Sequence, residues 1–202
     1  MRHPRCLSHA IVLLGCAWLA ILVPARPAAA DGLLGVFLDR DASDCNLIVP
    51  SAGSATVYVV FLPGGSTSGG ITGAEFRIDH AAAGSYVLQN EHSEAPVWFG
   101  SALGSGVNTA FTGCQGGLAV PLLRFQMLNP GGGSADVEIR IGPRQPPSNA
   151  FFPCPLVTLC NEPAYTAVCV TPGKSIVNPS RPRPCGSSRE AANWGQVKDL
   201  YR

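Results

Sequence analysis

From Leu33 to Ile141 the apolar residues of this chain recur at every second position, with glycine-rich or polar breaks about every ten residues. A helix cannot bury that pattern, because its faces repeat every 3.6 residues; successive side chains of a strand alternate between the two faces of a sheet. The pattern therefore predicts an antiparallel all-β domain. The segment 74–79 shows it best. Ala74, Phe76 and Ile78 point one way and Glu75, Arg77 and Asp79 the other, as in a sheet with one dry and one wet face. The segment 135–141 repeats it, with Val137, Ile139 and Ile141 inward.

In 55–62 both faces are apolar, which predicts a central strand. The segment 118–128 carries Pro121, which cannot donate to a ladder, so that strand is expected at an edge or broken by a bulge. With 33–39, 46–49, 85–89 and 107–111 the set reaches about eight strands, enough for two packed sheets. The glycine-rich segments 64–70 and 131–133 read as a flexible connection and a turn. Strands follow both, so neither meets the strand-to-helix requirement of a phosphate cradle.

Residues 1–30 have the layout of an export signal. Arg2 and Arg5 precede an apolar run over 11–23, and Ala28, Ala29 and Ala30 form a small-residue cleavage site before Asp31. The expectation is a protein that is secreted, periplasmic or held at the cell surface, with no integral span after cleavage. Leu14-Gly15-Cys16 raises lipid attachment at Cys16, against which the apolar run continues to Leu22. Cleavage removes three arginines and no acids, leaving 11 basic against 13 acidic residues. A surface so balanced offers no footprint for nucleic acid.

An oxidising compartment makes disulfides of the six remaining cysteines, Cys45, Cys114, Cys154, Cys160, Cys169 and Cys185. Sequence leaves their connectivity open. One arrangement joins Cys45 to Cys114 and makes two bridges among the last four; the alternative crosses between the two groups and holds the tail more tightly. Residues 143–186 are rich in proline and cysteine, cannot bury a core alone, and are expected to pack as an extension on the 31–142 sandwich. Within them, 168–171 and 174–177 flank Pro172-Gly173 and predict a small hairpin. Over 187–202, Ser187 and Glu190 have capping-box spacing, and Trp194, Val197 and Tyr201 fall on one face, which predicts an amphipathic helix needing a surface to dock on.

Chemistry is sparse. Asp39, Asp41 and Asp44 are weak calcium candidates, but Asp44 stands where a calcium loop needs glycine, and Pro50 where it needs glutamate. His80 and His92 lack ligand spacing. Gly65-Ser66-Thr67-Ser68-Gly69 places threonine where a serine nucleophile belongs. No catalytic residue, cofactor or metal site is therefore assigned. Tyr86, Trp98 and Tyr165 are weak candidates for stacking on a sugar.

Tyr58 to Phe61, followed by Gly70-Ile71-Thr72-Gly73-Ala74-Glu75-Phe76-Arg77-Ile78, resembles the hydrophobic strand, Gly-Ile-x-Gly and alternating strand of cohesin-like β-sandwich modules. The whole mature chain is similar to a group of short secreted bacterial proteins of uncharacterised role. They share this passage, the Cys154 to Cys160 segment, and an ending like Trp194 to Arg202. The resemblance implies a cohesin-like or immunoglobulin-like sandwich that binds an extracellular or cell-surface protein. It assigns no functional residues. The expected role is accordingly non-enzymatic, in protein binding or structure. A carbohydrate-binding module is the alternative, and an extracellular hydrolase built on Asp39, Asp41, Glu91 or Glu94 is the second.

Overall fold

A computed structural model describes residues 31–80, 85–161, 163–182 and 185. In chain order the strands among them are β1 (Leu33–Phe37), β2 (Asn46–Leu47), β3 (Gly53–Leu62), β4 (Ile71–Asp79), β5 (Val87–Ser93), β6 (Val97–Ser101), β7 (Gly106–Gln115), β8 (Val120–Asn129), β9 (Val137–Gly142), β10 (Leu156–Leu159), β11 (Ala167–Cys169), β12 (Thr171–Pro172) and β13 (Lys174–Val177). Sheet I has the order β12-β1-β3-β8-β5. Sheet II runs β11-β10-β4-β9-β13-β2, with β7 along the other side of β4 and β6 outside β7. The leader and the helix expected over 187–202 lie outside the described residues. Among the described residues no helix is long and apolar enough to cross a membrane.

Alternation places the core between the sheets. Sheet I contributes Leu34, Val36, Val57, Val59, Phe61 and Phe125, and sheet II contributes Phe76, Ile78, Val107, Ile139, Val157 and Val177, all of them buried. Each such side chain stabilises the fold by roughly 1.5–3 kcal/mol relative to exposure. β3 sits in the middle of sheet I, and Val60 on its outer face is also fully buried. β8 is not an edge. It runs between β3 and β5, and its register slips at the proline: Leu123 faces Val59 while Pro121 faces Val60. Leu122 is the extra residue, so the missing donor of Pro121 falls in a bulge.

The 64–70 connection is tighter than its composition suggests. Gly65–Gly69 forms a 3-10 turn around Thr67, which is fully buried. Its hydroxyl donates to the Gly64 carbonyl at 2.7 Å and accepts the Gly64 N–H at 2.9 Å.

The expected hairpin about Pro172-Gly173 does not form. β12 pairs parallel to β1 in sheet I, whereas β13 pairs with β9 and, parallel, with β2 in sheet II. The segment thus crosses from one sheet to the other. Gly173 is the crossing point: its N–H donates to the Leu34 carbonyl at 2.7 Å, and its carbonyl accepts from Ile141 N–H at 3.0 Å. Ser175, also buried, donates from its hydroxyl to the Val36 carbonyl at 2.6 Å. Two short strands paired only with each other would leave the backbone of β1 and β9 unpaired on that side, and the crossing satisfies both.

The disulfides join Cys45 to Cys185, Cys114 to Cys160, and Cys154 to Cys169. The direct bridge from Cys45 to Cys114 is therefore replaced by the crossing alternative. Cys114 at the end of β7 and Cys160 just after β10 flank the same end of β4, with Cα atoms 5.5 Å apart, within the reach of one bridge.

A Cβ on Gly173 would lie 2.7 Å from the Leu34 carbonyl oxygen and 2.9 Å from Gly35 Cα, both backbone atoms. Gly173→Ala should therefore destabilise by about 1–3 kcal/mol, read as a fall in melting temperature of roughly 3–10 °C; an unchanged melting temperature would mean that the sheets are not held at this contact. A second prediction concerns pH. Glu138 on β9 is hydrogen-bonded to Arg140 and lies 3.7 Å from Lys174 on β13. The Arg140 hydrogen bond, followed by the charges of Arg140 and Lys174, holds its carboxyl below the ordinary glutamate value. Its contribution is thus present above the unfolded-state pKa and lost as pH falls through the lower folded-state value. Glu138→Gln should lower the urea midpoint slightly at pH 7, and the difference should shrink as the pH falls through the lowered folded-state value.

Candidate functional site

The outer face of sheet II is where the wet face foreseen for β4 departs most from expectation. Glu75 is only 7% exposed. A strap formed by residues 143–152 covers it. Ser148 donates its N–H to Glu75 Oε1 at 3.0 Å and its hydroxyl to Glu75 Oε2, and Asn108 Nδ2 donates to Ser148 Oγ at 3.2 Å. The buried carboxylate is thus satisfied by residues more than 30 positions away, as a buried charge requires.

Next to the strap the same face opens onto β6, which pairs only with β7 among the described strands. Phe99 faces Asn108 and Val97 faces Ala110, so both lie on the outer side. Phe99 is 70% exposed, Val97 44%, and Phe151 at the end of the strap 91%. No residue of β6 is charged. A natural edge strand is commonly blunted by charge, proline or a cover; this one carries no charge or proline within its length and no covering strand among the described residues. Sequence reading had missed β6, because a strand exposed on both faces leaves no alternation to detect.

The aromatic candidates separate. Tyr86 is buried, its hydroxyl donating to the Ser134 carbonyl at 2.8 Å and accepting from Asn178 Nδ2 at 2.8 Å, so it is a structural residue and not a sugar platform. Trp98 faces Thr109, which is buried on the core side, whereas Tyr165 lines a cleft on the outer side. These rings do not form one flat row.

The acidic candidates are engaged locally. Asp39 accepts the Ser43 N–H at 2.8 Å and the Ser43 hydroxyl, Asp44 accepts the Asn46 N–H at 2.9 Å, and Asp41 is exposed. Among the described residues no group of three or more His, Cys, Asp or Glu is placed to hold a metal. Glu94 lies 2.9 Å from Arg40 and 3.7 Å from Arg124. Glu91 accepts from Ala102 N–H at 2.6 Å and from the Ser101 hydroxyl at 2.5 Å. A cleft of about 440 Å³ on the outer face of sheet I, lined by Asn90, His92, Arg124 and Gln126, contains Glu91 as its one carboxylate among the described residues. A glycosidase pair would need two. His80, by contrast, follows β4 in sheet II, with Nδ1 3.4 Å from the Ile78 carbonyl.

No family model and no curated protein matches the chain. Among solved structures it is similar to the sixth cohesin of scaffoldin B from Acetivibrio cellulolyticus, solved in complex with a Cel5 dockerin mutant, at 12% identity over 74% of this chain and 99% of that one, with a TM-score of 0.48. It is also similar to the seventh ScaB type I cohesin of Pseudobacteroides cellulosolvens, at 10% identity over 75% and 93%, TM-score 0.48. A third is the cohesin module of a family 33 glycoside hydrolase from Clostridium perfringens, at 11% identity over 75% and 99%, TM-score 0.45. Likenesses at these identities and TM-scores assign no site residue, partner or activity to this chain.

Removing the strap's hydroxyl tests its hold on the sheet. Ser148→Ala leaves one hydrogen bond to the buried Glu75 carboxylate and should lower the unfolding free energy by about 1.5–3 kcal/mol. In a urea titration, Glu75→Gln combined with Ser148→Ala should cost less than the sum of the two single changes; strict additivity would show that the contact is not made.

Proposed function

We propose that this chain is an exported, non-enzymatic module that binds another protein through the outer side of β6, with Phe151 of the strap as a second exposed anchor. The apolar, uncharged outer side of β6, with Val97 and Phe99 exposed, carries the reading, since contiguous exposed apolar surface on a folded protein marks an interaction site more often than a scattered residue does. A strand edge unpaired among the described strands, with Phe99 exposed on its outer side, offers both backbone hydrogen bonds and an aromatic anchor, the means by which an extended segment of a partner adds to a sheet. Three disulfides and the leader over 1–30 support export. The sequence resemblance to cohesin modules implies the same class of function.

The experiment is photo-crosslinking of the exported protein on its native cells from a probe at Val97, which shares the outer side of β6 with Phe99, compared with a Phe99→Asp, Phe151→Asp variant carrying the same probe. Both side chains are mostly solvent-exposed, so the variant should melt within a few degrees of the parent. Loss of an aromatic anchor costs about 2 kcal/mol or more, so a specific cross-linked protein should fall at least tenfold in the variant. Equal yield from both would remove β6 as the docking edge, and a dimer of this chain as the sole product would replace a foreign partner with a second copy.

A further inference from the structure

Across sheet II the strand registers bring five small side chains into one row. Val97 on β6 faces Ala110 on β7; Ala110 faces Gly73 on β4; Gly73 faces Thr158 on β10; and Thr158 faces Ala167 on β11. Residues facing one another across a sheet point to the same side, and this row lies on the outer side, opposite Phe76 and Ile78. Strands are about 4.8 Å apart, so the row makes a shallow floor roughly 19 Å long running across the strands. Glycine at its centre is required, because a Cβ on Gly73 would sit 2.6 Å from the Thr109 carbonyl oxygen. One side of the floor is bounded by the row of Asn108, Glu75 and Leu156 under the strap. The other is bounded by the Cys114–Cys160 bridge, beside Gly70.

On the bridge side the groove deepens to a cleft of about 350 Å³, within the range of natural ligand sites. Its lining has no charged residue. Three threonines, Thr72, Thr112 and Thr158, bring hydroxyls, and Tyr165 brings an aromatic ring that is 46% exposed. Tyr165 is set in place by its loop. Asn161 accepts from the backbone N–H groups of Ala164 and Tyr165 through its carbonyl, and its side chain accepts the Thr166 N–H at 2.9 Å and donates to the Thr166 hydroxyl at 2.9 Å. Tyr165 also holds a positive φ of 42°, a conformation that non-glycine residues adopt only when the surroundings fix it.

We propose that this groove binds a neutral polysaccharide, with a sugar ring stacked on Tyr165 and its hydroxyls paired to the threonine hydroxyls. An anionic polymer would find no cation in the lining, and a nonpolar peptide would offer no partner to the hydroxyls of Thr112 and Thr158, that of Thr72 already donating to the Thr158 carbonyl at 3.5 Å. A sugar has the opposite make-up, an apolar ring face with a hydroxyl rim. The Tyr165 end of the groove lies three strand spacings from β6, about 14 Å, so the sugar-stacking end is separate from the edge assigned to a protein partner, and Val97 alone is common to the two surfaces.

Affinity electrophoresis of the full exported chain tests it, in native gels containing xylan, hydroxyethyl cellulose or dextran, with polygalacturonate as an anionic control. At least one neutral polymer should retard the protein. Tyr165→Ala and Ala110→Arg should each weaken that retardation tenfold or more, while the Phe99→Asp, Phe151→Asp variant keeps it. Ala110 is exposed, so Ala110→Arg fills the floor without disturbing the core and keeps the test valid should Tyr165→Ala misfold. No retardation in any neutral gel, retardation by polygalacturonate alone, or retardation that survives both changes overturns the proposal. So does binding of reduced, carboxymethylated casein that both changes abolish, which would make the groove a peptide site.

Discussion

The two sheets are held together by a strand that belongs to both. Between Thr171 and Val177 the chain leaves the edge of sheet I, passes over β1 at Gly173 and Ser175, and enters sheet II beside β9. Apolar burial between the sheets is large but non-directional, and it would tolerate sliding of one layer over the other. Hydrogen bonds from Gly173 and Ser175 to the Leu34 and Val36 carbonyls fix the relative position of the layers. Asn178 continues the fastening, with Nδ2 donating to the Val49 carbonyl and to the Tyr86 hydroxyl while Oδ1 accepts the Val49 N–H. The outer face of sheet II depends on this, because the register of its strands sets which side chains form its floor and its walls.

The strands that alternate cleanly were legible from residue order alone. β4 and β9 show why: one face of each must be dry, and a one-residue slip would expose Phe76, Ile78, Ile139 and Ile141 together. The bulge at Pro121 was also legible, because proline removes a donor wherever it stands. Other features depend on partners far away in sequence. Glu75 reads as a surface residue until Ser148 is brought over it. The stretch 171–177 reads as a hairpin because Pro172-Gly173 is a local turn signal, and only the unpaired backbone of β1 and β9 shows why the two halves separate. Disulfide pairing fails for the same reason, since Cys114 and Cys160 meet only after β7 and β10 have lined up on β4.

The candidate surfaces were less legible than the fold. Of the aromatic residues singled out, Tyr86 went to the interior and Trp98 turned to the core side, and only Tyr165 reached an open cleft. The strongest exposed anchors, Phe99 and Phe151, left no trace in the hydrophobic pattern because neither belongs to a buried face. A pattern method detects what folding requires. A residue kept exposed at some cost to solubility answers to a different requirement and is visible only once the core has been accounted for.

The Cys45–Cys185 bridge closes a loop of 140 residues around nearly the whole sandwich. Under tension applied between Asp31 and Cys185, the covalent path runs from Asp31 to Cys45 and then directly through the sulfurs to Cys185. Fourteen residue steps extend to about 50 Å at most, whatever happens to the strands inside the loop. β2 to β13 lie inside the loop and are therefore shielded from the load, whereas β1, between Asp31 and Cys45, lies on the loaded path and is the strand that tension would peel from sheet I while the surfaces of sheet II stay folded.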